Sequence, residues 1–138
     1  MIRKDYILRM IEEIGKMIAA MLALLSKGDT EEAQKLYIQG LKRGFDINED
    51  TMLDMDIRQL RAVLENKFGE SFEGLEVLAG LISAGGDLHL KNHDQEKAKE
   101  CYLKSMQLYK LVDLESATYS LARQAQMGKV EAVLRQLD

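Results

Sequence analysis

Proline and tryptophan are missing from this chain of 138 residues, and cysteine occurs once. Each absence excludes something. An interior proline costs a helix about 3 kcal/mol, so a chain without one is free to run helix after helix. A single cysteine, Cys101, cannot close an internal disulfide, and no CxxC or cysteine–histidine cluster stands in the sequence to hold zinc or an iron–sulfur centre. Long apolar runs are also missing. The longest, Met17 to Leu25, has nine residues, against about 20 for a membrane-spanning helix. It does not read as a signal-peptide core either, because Asp5, Glu12 and Glu13 precede it and no A-x-A-like cleavage site follows. The expectation is a cytoplasmic protein in a reducing compartment, with no membrane span.

What is present is 46% hydrophobic and 30% charged residues with a formal net charge of −4. That is too apolar for a disordered chain, and the length suits one domain with one core. The acidity is local: residues 46 to 76 carry nine acidic and three basic side chains, whereas the segments on either side are near balance. No basic stripe of the kind that tracks a phosphate backbone appears, so nucleic acid is not an expected partner.

The hydrophobic period is helical throughout. Ile7, Ile11, Ile14, Ile18, Leu22 and Leu25 mark one face of a first helix over 5–27, and Met10, Met17, Met21 and Leu24 add a second stripe. So wide an apolar surface predicts a helix that is central in its domain or pressed against a second copy of the chain. Gly28 reads as its stop, and Asp29 with Glu32 as the start of a second helix over 30–42. Asn48 caps a third, whose stripe Leu53, Ile57, Leu60, Leu64 and Phe68 ends at Gly69. A fourth follows Ser71 and meets Gly85 and Gly86, which either break it or admit another backbone; Gly80 and Ala84 nearby favour close approach. Helices over 94–112 and 114–127 and a short one after Gly128 complete about seven.

One internal repeat is visible. Gly28-Asp29-Thr30-Glu31-Glu32-Ala33 with Tyr37, and His93-Asp94-Gln95-Glu96-Lys97-Ala98 with Tyr102, share a turn residue, acids, an alanine and a tyrosine four positions later. These residues resemble tetratricopeptide (TPR) repeats, whose helical hairpins use a small residue at their crossing and an aromatic one turn on. Two hairpin-sized units, 14–47 and 79–112, follow the template; the first has Met21 where the small residue belongs. The opening from Lys4 to Glu12 and the later GDTEEA stretch also resemble a family of small bacterial helical proteins of unknown function. The resemblance implies an all-α, single-domain, TPR-like right-handed array of antiparallel hairpins over 1–138 and a bacterial cytosolic origin. It brings no activity. In TPR hairpins the first helix of each pair lines the groove, which carries over here to Ser83, Asp87, Leu90 and Lys91. Ser83 stands where a lysine clamp for peptide C-termini would be needed, so a chaperone-tail receptor is disfavoured.

Three constellations invite chemistry, and each has a plainer reading. Asp46, Asn48, Asp50, Asp54 and Asp56 suggest a calcium loop, but Thr51 stands where its glycine should be and Ile57 where its bidentate glutamate should be, which leaves a helix cap with solvated acids. His89 and His93 are one turn apart, a spacing that two metal-bound imidazoles can share, but no HExxH glutamate lies between them and no third ligand lies nearby. Cys101, between Ala98 and Tyr102 on an apolar face, reads as a buried small hydrophobe.

The sequence therefore predicts no catalytic residues, no metal ligands and no cofactor. It predicts a non-enzymatic interaction or scaffold module for a protein or peptide partner, self-associating through Met10, Met17, Met21 and Leu24 as a homodimer. The alternative is a metal-dependent or small-molecule-binding enzyme or sensor using His89, His93 and the acidic 46–56 segment.

Overall fold

Asp29 sets the first helix boundary: its carboxylate accepts the backbone N–H of Glu32, satisfying a donor that the helix start leaves free. The same device recurs at Asn48, Asp56 and Asp94, which accept from Thr51, Gln59 and Lys97. In the computed structural model, which describes residues 2–70 and 72–137, these caps punctuate a single all-α domain. Its helices are α1 (Ile2–Ser26), α2 (Thr30–Phe45), α3 (Glu49–Asp54), α4 (Ile57–Phe68), α5 (Phe72–Lys91), α6 (Gln95–Ser116) and α7 (Leu121–Leu137). Ser71 and the side chain of Arg3 lie outside the described residues. Among the described residues no helix is long and apolar enough to cross a membrane.

Among the described residues seven helices match the expected number, but two boundaries moved and offset each other. The expected third helix is two: Met55 is extended, and Asp56 opens α4 with a reciprocal capping box in which Gln59 accepts the Asp56 N–H. Conversely, Gly128 stops nothing. α7 runs through it, and the break falls earlier, where Ala117 ends α6 in the left-handed region. Arg123 holds that turn. Its buried guanidinium donates to Asp113, Glu76 and the carbonyl of Thr118.

α5 is the central helix. It packs against α1, α2, α4, α6 and α7, and Leu78, Leu81, Ile82 and Leu88 on it are fully buried. Each such side chain contributes about 1.5–3 kcal/mol relative to an exposed one. α5 packs along α6, where Ser105 donates to the Ala79 carbonyl and the Tyr102 ring meets Gly86. α1 packs along α2, with Ile14 against Gly44, Met17 near Gly40, and Glu13 paired to Arg43.

The two copies of the sequence repeat lie on α2 and α6, which both pack on α5. Asp29 and Asp94 cap, Ala33 and Ala98 are buried, and Tyr37 and Tyr102 lie on neighbouring glycines of α5. An added Cβ on Gly85 would stand 2.3 Å from Cζ of Tyr37, and one on Gly86 would stand 2.7 Å from Cε1 of Tyr102. The glycine pair thus serves close approach by two rings, and α5 continues unbroken to Lys91.

The first helix packs on α2 and α5, and α5 rather than α1 takes the central place. Met21 is 0% exposed, enclosed by its own chain, so it presents nothing to a second copy. Met10, Met17 and Leu24 are half-buried, and Met10 and Leu24 pack against the same core.

Candidate metal centre

Glu49 is the first residue of α3, and three contacts decide where it points. Asn48 caps the helix from one side. Lys97 of α6 donates to Asp50 at 2.8 Å, and Lys104 donates to the carbonyl of Met55 just beyond the last turn. A helix of six residues, too short to be stable alone, is thereby pinned to α6 at both ends. Its first side chain is aimed at the end of α5.

There it meets His89 and Cys101. His89 Nε2 lies 2.8 Å from Glu49 Oε2, and the Cys101 thiol donates to the same oxygen at 3.5 Å. One nitrogen, one oxygen and one sulfur, each able to ligate a metal, lie within 4.8 Å of one another. Glu49 and His89 are half-buried and Cys101 is buried.

Tyr37 of α2 completes the surroundings and touches all three. Its hydroxyl lies 3.9 Å from Cys101 Sγ and near enough to the Glu49 carboxylate to favour its charged form, and its ring meets the His89 ring edge-on, with centroids 6.3 Å apart. Burial, reinforced by the neighbouring thiol and carboxylate, pushes the Tyr37 phenol well above its ordinary value, so it stays a donor.

Burial alone would push the Glu49 carboxyl up, but hydrogen bonds from His89 and Tyr37 outweigh it and hold the group below the usual carboxylate range. An ionised carboxylate only accepts, so His89 Nε2 carries the hydrogen between them. Burial first, and then the charge of Glu49, push the Cys101 thiol far above its ordinary value. A thiol so held is protonated and a poor nucleophile until something takes its proton.

A cleft of about 520 Å³ reaches this cluster from solvent. Glu49, His89 and Tyr37 form part of its lining, whereas Cys101 lies behind them. The cleft's other walls come from α2, the α2–α3 connection and Leu88 of α5.

The cluster corrects the expectation of a chain without catalytic or metal-ligating groups, and with it the expectation of a non-enzyme. His89 belongs to it, and so does one residue of the acidic 46–56 segment. His93 does not: it is exposed, with φ 61°, and its backbone makes the turn after α5. Asp50 is paired with Lys97, Asn48 and Asp56 are caps, and Asp46 ends α2 beside Lys42. Of the residues assigned to a groove, Ser83, Asp87 and Leu90 are half-buried and Lys91 is exposed. Asp87 accepts from the Tyr102 hydroxyl, and none of the four lines the cleft. The alternative reading, which joined His89 to the acidic 46–56 segment, is the one this cluster favours; it did not single out Glu49 within that segment and did not include Cys101. The one local signal was that Cys101 and Tyr37 fall on the two copies of the repeat.

No family model, no curated protein and no solved structure matches this chain.

Proposed function

We propose that the protein binds a zinc-class divalent cation through Glu49, His89 and Cys101, with a fourth position open to the cleft. The observation that carries this reading is the convergence of three different ligand types from α3, α5 and α6, two of which line one cleft. Tetrahedral zinc with bonds of about 2.0–2.3 Å places its ligand atoms about 3.3–3.8 Å apart. The sulfur–oxygen separation of 3.5 Å already lies in that range, and the nitrogen–oxygen pair at 2.8 Å has to open by about half an ångström. Mixed imidazole, thiolate and carboxylate donors suit zinc, cobalt or ferrous iron and do not suit calcium or magnesium. Three protein ligands with a fourth position left to water or substrate is the pattern of reactive zinc sites, and structural sites close all four positions with protein. Tyr37 supplies the outer hydrogen bond that such ligands commonly need.

The test is titration of metal-free protein with cobalt(II), read by its thiolate-to-metal charge-transfer and visible bands, with zinc competing. The expected result is one equivalent bound, spectral loss of the sulfur band in Cys101→Ser, and a rise in melting temperature with zinc, worth about 2.7 kcal/mol at a hundredfold excess over Kd. No band and no change in melting temperature would overturn the proposal.

The repeated Asp, Ala and Tyr positions of α2 and α6 support a TPR-like layout as a second reading, in which the domain also presents a face to a protein partner. Its test is crosslinking and light scattering on the metal-loaded protein; a monomer with no reproducible partner argues against it.

A further inference from the structure

We infer that the cleft before this centre receives a medium-chain aliphatic monocarboxylate, its head on the metal's open position and its chain along Ile38, Leu41, Ile47 and Leu88. This rests on the metal-binding reading above and adds the class of ligand.

The volume, about 520 Å³, lies within the range of about 300–1,000 Å³ in which small organic ligands are held. The four aliphatic side chains come from three separate segments and line the cleft together with Glu49 and His89, and most of the surface it presents is apolar. Charge then selects the head. A divalent metal with the Cys101 thiolate and the Glu49 carboxylate is neutral in sum, so the centre adds no net charge to hold a dianion. Lys42 is the one lysine in the lining, and it is shared with Asp46 at 3.0 Å. Asp50, also in the lining, is matched by Lys97. A phosphate or dicarboxylate would need further cations, whereas a single carboxylate needs one metal bond and one partial countercharge. The apolar walls account for the rest of the molecule.

The experiment uses full-length cobalt(II)-loaded protein titrated with acetate, butyrate, hexanoate and octanoate, followed by the visible cobalt bands. Each acid should perturb the bands, and affinity should rise about twofold to fourfold per methylene until the cleft is filled, the upper figure being that of full burial. Ile38 is 57% exposed, so Ile38→Ser leaves the core intact, as circular dichroism would verify, and should flatten the series. Lys42→Gln should weaken every member by a common factor. Failure of cobalt to bind overturns both readings. A cobalt spectrum that responds equally to acetate and octanoate, or not at all, overturns this one alone.

Discussion

Two glycine-to-alanine substitutions, identical in chemistry and both in helix interiors, are expected to change stability in opposite directions. Gly128 in α7 has no heavy atom within 4 Å of where its Cβ would stand. Gly128→Ala therefore gains helix propensity and restricts the unfolded chain, for about 0.5–1 kcal/mol of stabilisation. Gly85 in α5 offers the same gain, but its Cβ would stand 2.3 Å from Cζ, 2.5 Å from Oη and 2.6 Å from Cε1 of Tyr37. Carbon atoms in good contact sit about 3.5–4.0 Å apart, so the ring has to retreat by more than 1 Å. It has little room, being buried and held edge-on against His89. Overpacking of this kind costs about 1–3 kcal/mol, and each hydrogen bond lost by the phenol adds about 1 kcal/mol. After subtraction of the propensity gain, Gly85→Ala should lose about 1–3 kcal/mol, and the two variants should differ by about 2–4 kcal/mol. Urea unfolding followed by far-UV circular dichroism measures both, with an unchanged m-value as the control for two-state behaviour. Because Tyr37 borders all three ligand residues, Gly85→Ala should also weaken cobalt binding, and Gly128→Ala should not. If Gly85→Ala proves as stable as Gly128→Ala, the close approach of Tyr37 to α5 is wrong, and so is the account of why α5 carries a glycine pair.

Four further outcomes are expected. Tyr37→Phe keeps the ring and removes the donor, so metal affinity should fall about tenfold to a hundredfold, while the metal-free protein should lose only about 1 kcal/mol for the missing hydrogen bond; equal affinity would remove Tyr37 from the site. Native metal-free protein should alkylate slowly at Cys101, because the thiol is buried and its pKa is raised, and fast once unfolded, as mass spectrometry in and out of urea would show. Metal uptake should release the thiol proton, so affinity should rise with pH across the neutral range, and heats measured in buffers of different ionisation enthalpy would count the protons. Burial raises the folded-state pKa of Asp87 above its unfolded value. The unfolded chain then loses its proton first as pH rises, so this group's contribution to stability declines from the ordinary aspartate range up to the folded-state pKa. Asp87→Asn, which keeps an acceptor for Tyr102, should melt higher than wild type at neutral pH and lose that advantage in acid.

Local signals were read correctly where a single turn of chain contains the whole interaction. Asp29, Asn48 and Asp94 each cap a helix by accepting from a backbone N–H three residues on, and all three starts were legible. Asp56 with Gln59 carries the same signature, but the continuous stripe from Leu53 to Phe68 masked it, since a hydrophobic period does not register a break that preserves its phase. Gly128 misled in the other direction. A glycine costs an exposed helix only about 1 kcal/mol, which packing of Met127 and Val130 against the core readily offsets.

The site was not legible by the same means. The alternative reading joins His89 to His93, because four residues is the spacing that sequence displays, and to the acidic 46–56 segment; the structure keeps one residue of that segment, Glu49, and replaces His93 with Cys101 on the following helix. Cys101 was rightly read as buried, and burial alone gave no reason to look for a carboxylate beside it.

By itself the sequence determined an all-helical chain, most of its helix starts, the repeat of Asp, Ala and Tyr, and a close approach at Gly85 and Gly86, expected of another backbone where the structure has two tyrosine rings. These follow from backbone chemistry within a few residues and from a 3.6-residue period. Only the tertiary structure decided that α5 and not α1 is central, that Met21 is enclosed by its own chain, and that Glu49, His89 and Cys101 share one point in space. The reason is physical: a helix period says which face is buried but not against what, and a metal-ligating cluster is defined by distances between helices.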